Sequence, residues 1–159
     1  MTKSYDMGSS SCQLLFPRNI DPYGKSWEEW AALWCKWLLS TPRDKNPSVD
    51  EDGQNCAENQ FNPRVWFLGG TFGNYKVVKR KCTVPGKRAI LFPILEKEDS
   101  FVEDSDLKTE EDLAVRANRA MDAVTLLSAK IDGIKILNLM DYRVRSRFFD
   151  LSLPKNNVY

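Results

Sequence analysis

The side chains of this sequence that could do chemistry are carboxylates, cysteines, lysines, tyrosines and arginines, because its 159 residues include no histidine. That absence excludes serine–histidine–aspartate and cysteine–histidine catalysis, histidine zinc ligation and imidazole proton shuttling within the chain. Five carboxylates then carry any acid–base reading: Asp50 and Asp52, and the close-set Glu96, Glu98 and Asp99. A glycosidase-like hydrolase needs two such groups at a defined separation, one of them desolvated so that it keeps its proton. Most carboxylates are simply solvated, so this enzymatic reading is the alternative and not the lead.

Arg143, Arg145 and Arg147 alternate along one run. On a strand they would project from one face and could hold phosphates, giving a third reading as a phosphate- or nucleic-acid-binding surface. Against it, 23 basic residues face 22 acidic ones, and a net charge of +1 creates no global field for a polyanion. Nucleic acid is not an expected partner. Asp50, Asp52 and Gly53 superficially follow a calcium loop, but Ser48 and Asn59 occupy the first and twelfth ligand positions. No metal and no cofactor are expected.

The four cysteines, Cys12, Cys35, Cys56 and Cys82, contain no C-x-x-C pair and so make no zinc motif. Cys56 and Cys82 flank the first strand-like runs at a distance a hairpin could close, so they are the choice for a disulfide in an oxidising compartment. Their Cα atoms should then lie roughly 4.4–6.8 Å apart. Cys35, in the first helix, reads as a buried and inert thiol.

The elements that must position these groups follow from periodicity. Residues 1–19 read as a flexible arm and 20–159 as one globular domain, of a length that supports a sizeable core. Ser26 and Glu29 form a capping-box pattern, and Trp27, Trp30, Trp34 and Trp37 then fall within an arc of about 80° on a helix that Pro42 stops. Such a stripe is a core signature before it is a stacking platform. Residues 42–63 read as a loop, and 64–68, 75–81 and 88–95 as strands. Thr109 and Asp112 open a second helix running to 128, Asp132-Gly133 sits in a hairpin, and 142–153 reads as a last strand on which Phe149, Leu151 and Leu153 alternate.

The run Val65-Trp66-Phe67-Leu68-Gly69-Gly70-Thr71, the run Cys82-Thr83-Val84-Pro85-Gly86-Lys87 leading to Phe92-Pro93-Ile94, and the tryptophans before Pro42 together resemble an uncharacterised bacterial and archaeal family of small, usually exported proteins. Ile131-Asp132-Gly133, Tyr142-Arg143-Val144 and Leu153-Pro154 follow in the family's order. The resemblance implies that Cys56 and Cys82 are a matched pair and that the protein is exported; it supplies no activity and no site residues. The chain differs from the family in carrying Cys35 where another tryptophan is usual, in showing no export signal, and in stopping where the relatives continue into further strands.

The expected fold is a β-rich α+β domain, an antiparallel sheet or small sandwich bearing the tryptophan helix. The expected function is a non-enzymatic binding or interaction module, for carbohydrate or a cell-envelope partner, with Arg143, Arg145, Arg147, Asp50 and Asp52 as weak ligand-binding candidates. No apolar run approaches the ~20 residues of a membrane span, so no membrane insertion is expected. Location reads as cytoplasmic as written, or exported if a signal was removed. An alternating last strand without a neighbour would leave an open sheet edge, and such an edge recruits a second copy of the chain.

Overall fold

Helix α1 spans Trp27–Leu39 in the computed structural model, which describes residues 14–72 and 77–159. The Ser26 hydroxyl accepts from Glu29 N–H and the Glu29 carboxylate accepts from Ser26 N–H, so two of the helix's orphan donors are satisfied reciprocally. Three of the four tryptophans are buried, and each indole N–H donates to a backbone carbonyl outside the helix: Trp30 to Pro22, Trp34 to Leu68 and Trp37 to Glu58. The stripe therefore fills the core and also bolts three loops to it. Trp27, half-buried at the helix start, meets Tyr142 edge to face.

Strands β1 (Val65–Phe67) and β2 (Ala89–Leu91) pair in parallel, Val65 opposite Ala89 and Phe67 opposite Leu91. All three residues of β1 are buried, and Val65 and Phe67 complete the core with Trp30, Trp34, Trp37 and Leu38. Helix α2 (Glu110–Asp122) follows, opened by the Thr109–Asp112 capping box. An antiparallel hairpin, β3 (Ala129–Ile131) and β4 (Ile134–Ile136), turns through Asp132 and Gly133, both at positive φ. This is the type I′ geometry that Asp-Gly tolerates.

The class is mixed α+β, but the four three-residue strands among the described residues do not make a β-rich sheet or sandwich, and one of the two pairings is parallel. The reasons lie in side chains that take over the work of a ladder. Of the expected strand 75–81, Tyr75 and Lys76 lie outside the described residues, and 77–81 forms no strand. Arg80 there is turned into the loop, donating to the carbonyls of Ser48, Asp50, Gly69 and Gly70. Lys81 N–H bonds to Asp52 O, and the backbone passes so close to Gly53 that a Cβ there would sit 2.4 Å from Lys81 O. Glycine alone fits that approach, at φ +96°.

The run 142–153 likewise forms no strand. It forms a strap tied to α2 at its start, with Arg143 bonded to Asp122 Oδ1 at 2.5 Å and Asn118 Oδ1 at 3.2 Å, and with the Phe149 ring 5.0 Å from Lys36 Nζ of α1. Helix α2 ends six residues before the expected 128, at the β-branched pair Val124-Thr125. Of the expected arm 1–19, residues 1–13 lie outside the described residues; Arg18 pairs with Glu28, and Phe16 O accepts from the Tyr142 hydroxyl. Among the described residues no helix is long and apolar enough to cross a membrane.

Candidate functional site

Between the flank of α1, the segment 91–102 leaving β2, the inner face of α2 and the strap lies a groove of about 660 Å³. Trp34 and Cys35 form its floor from α1, and Leu113 and Ala114 face it from α2. Its volume falls in the range of small-molecule sites, which are largely apolar with a few convergent polar groups. Those groups are present. The structure brings Glu96, Glu98 and Asp99 together with Arg143, Arg145 and Arg147 on the walls of this one groove, two sets that the sequence keeps more than forty residues apart.

Glu98 is the most perturbed carboxyl. Burial pushes it up to about 7, the Tyr159 hydroxyl opposes that shift by donating to Oε2 at 2.5 Å, and the hydrogen-bonded carboxylate of Glu103 raises it again. Ser100 Oγ in turn donates to Glu103 Oε2 at 3.1 Å. Glu96 reaches the open space of the groove, yet the surrounding protein desolvates it and raises its pKa, with Lys97 opposing. Asp99 is only 1% exposed in its side chain: Oδ1 takes Lys97 Nζ at 2.6 Å and Arg116 Nε at 3.5 Å, while Oδ2 has no hydrogen-bond partner among the described residues. A buried charged oxygen without a donor is costly, and a ligand donor would relieve it.

Burial also raises the Cys35 thiol, and the nearby charges of Glu96 and Glu98 add to the effect. This thiol is held neutral and so is a poor nucleophile.

Asp50 and Asp52 lie apart from the groove. Burial raises the Asp50 carboxyl, but hydrogen bonds from the backbone N–H groups of Asn55, Gly53 and Asp52 outweigh it and leave the pKa low. Asp52 is spent in the same way on Gln54. These carboxylates build the turn. Among the described residues no cluster of acidic, cysteine or histidine side chains could hold a metal ion. Cys56 and Cys82 stand at disulfide distance, 2.10 Å between sulfurs and 5.9 Å between Cα atoms.

Glu103, Ser100 and Tyr159 escaped the reading of the sequence. Glu103 lies only five residues beyond Glu98 and an acidic pair at that spacing was visible, whereas the contact of Tyr159 with Glu98 spans 61 residues and leaves no local trace. Comparison with protein-family models, with curated proteins and with solved structures gives no match. Function therefore rests on the chemistry of the groove.

Proposed function

We propose that the chain is a non-enzymatic binding module whose groove takes a hydroxyl-rich ligand of the carbohydrate class, such as a cell-envelope glycan. The observation that carries this reading is the meeting of carboxylate acceptors and guanidinium donors on the same apolar groove. A sugar hydroxyl both donates and accepts, so it suits a wall that offers both kinds of partner. Phe101 and Phe148, each 47% exposed on that groove, offer faces for the apolar side of a pyranose ring. Asp99 Oδ2, buried and without a donor, adds an acceptor in need of a hydroxyl. The Cys56–Cys82 disulfide favours an oxidising compartment and hence export.

Calorimetric titration of a panel of soluble glucan, chitin and mannan oligosaccharides tests the reading. At least one should bind, and Glu98→Gln and Arg145→Ala should each weaken it about tenfold, the loss of one charge-assisted hydrogen bond. No heat from any member, together with unchanged amide resonances along 96–103 and 143–147, sinks it.

The hydrolase reading keeps one observation in its favour, the raised pKa of Glu98 beside Glu103. Glu103 acts on Glu98 as a neighbouring carboxylate but is not on the groove's wall, so the two do not flank the space where a sugar would lie. Release of nitrophenol from aryl glycosides, abolished by Glu98→Gln, would nevertheless install that reading in place of simple binding.

A further inference from the structure

A second cavity lies on the other side of α1's first turn, walled by Leu14 and Phe16, by Trp27 and Trp30, by β2 and its exit, and by the β3–β4 hairpin. Its volume is about 500 Å³. We propose that it holds the tail of a free single-chain amphiphile with an anionic head, of the long-chain carboxylate class.

Three observations converge on that occupant. The walls are apolar almost throughout, and an apolar cavity does not retain ordered water. Ile90, Phe92 and Ile94 form its outer lip with 50%, 46% and 42% of their surface exposed, so a hydrocarbon chain lying there removes apolar surface that the fold leaves in water. Charge then selects the head. Among the described residues the only charged ones on the walls are Lys87 and Arg88, both cations, and no carboxylate lines the cavity. Glu28, adjacent in sequence to Trp27, is already paired with Arg18.

Hydrogen-bond capacity points the same way. The indole N–H of Trp27, on the cavity wall, is buried with no acceptor among the described residues. The Tyr142 hydroxyl has its partner in Phe16 O. The charged side chains on this wall are cations and its unpartnered indole group is a donor, which complements a carboxylate head and not an ammonium.

Calorimetry and tryptophan fluorescence of the full chain with dodecanoate below its micellar concentration test this directly. One dodecanoate should bind per chain, and affinity should climb from octanoate to dodecanoate by up to about fourfold per methylene, the transfer gain of a buried CH₂. Lys87→Glu, an exposed change that leaves the packing intact, should weaken dodecanoate about fivefold or more. Arg88→Gln should act in the same direction. Equal binding of dodecyltrimethylammonium, indifference to Lys87→Glu, no dependence on chain length, or a response only to anionic phospholipid vesicles would each overturn the proposal. Glu98→Gln should leave dodecanoate binding unchanged, so the failure of either site is separable from that of the other: the two cavities share Trp27, Trp30, Leu91, Leu139, Tyr142 and the lip residues Phe92 and Ile94 as walls, but Glu98 lines only the groove and Lys87 and Arg88 only the second cavity.

Discussion

The side-chain amide of Gln60 pairs with both backbone groups of Phe67: Phe67 N–H donates to Oε1 at 3.0 Å, and Nε2 donates to Phe67 O at 2.8 Å. A side chain thus stands where a neighbouring strand would, and it closes the β1 edge at a residue with 0% exposure. Gln60→Ala strands a buried donor and a buried acceptor together, at roughly 1–3 kcal/mol each. Urea denaturation should show a loss of about 2–4 kcal/mol. A loss below half a kcal/mol would mean that water or another group reaches Phe67.

Asn46 makes the same kind of argument at the end of α1. Fully buried, it donates through Nδ2 to Leu38 O and Thr41 O and accepts through Oδ1 from the N–H and hydroxyl of Ser48, which satisfies the whole amide. Asn46→Asp keeps the shape but replaces two donors with a second acceptor facing two carbonyls. It should cost at least about 2 kcal/mol, and more at pH 7 than at pH 4, where the new carboxyl can be protonated. An isosteric change without effect on the thermal midpoint would show that the loop 42–48 does not depend on this residue.

The disulfide and the free thiol should behave oppositely under redox challenge. Closing a loop of 26 residues contributes about 3.5 kcal/mol in the chain-entropy model, so Cys56→Ala with Cys82→Ala, or reduction, should lower stability by an amount of that order. Cys35, half-buried on the groove floor with its thiol held neutral by the surrounding protein and the charges of Glu96 and Glu98, should react with iodoacetamide far more slowly in the folded protein than after unfolding. Mass spectrometry of alkylated protein with and without urea separates the two. Rapid labelling of Cys35 at neutral pH without denaturant would contradict a thiol held neutral by its surroundings.

What was legible in the sequence is what is local. Ser26 with Glu29 and Thr109 with Asp112 announce their helices because a capping box closes within four residues, and Asp132-Gly133 announces its hairpin because the turn itself demands positive φ. The tryptophan stripe shows its burial through its period. The misread strands, 75–81 and 142–153, have the right alternation but not the partners: Arg80 is drawn into four carbonyls of the preceding loop, and Arg143 into α2. Strand pairing is a tertiary property, and a side chain that finds a better acceptor overrides the pattern. The candidate site was half visible for the same reason. Glu96, Glu98, Asp99 and the arginines could be named, but that they share one groove depends on how the strap is tied to α2.

The raised carboxyls of the groove also set a pH dependence. Glu98 stands at about 7 in the folded chain against 4.5 for an ordinary glutamate, and Glu96 is shifted in the same direction. Between those limits the folded state binds more protons than the unfolded one, so stability is fully present below pH 4.5, falls as pH rises toward 7, and levels off above it. Discounted for the partial solvent exposure of Glu98, a shift of this kind corresponds to a loss on the order of 2–3 kcal/mol across the window. The low pKa of Asp50 acts in a separate range, because its contribution is lost only as pH falls below about 4. The thermal midpoint should therefore be higher at pH 5 than at pH 8. Glu98→Gln, which keeps an acceptor for the Tyr159 hydroxyl and cannot ionise, should remove most of that difference and stabilise the protein chiefly at pH 8. A wild-type midpoint that rises from pH 5 to pH 8, or a Glu98→Gln profile parallel to it, would place the ionised carboxylates in water and not in the groove.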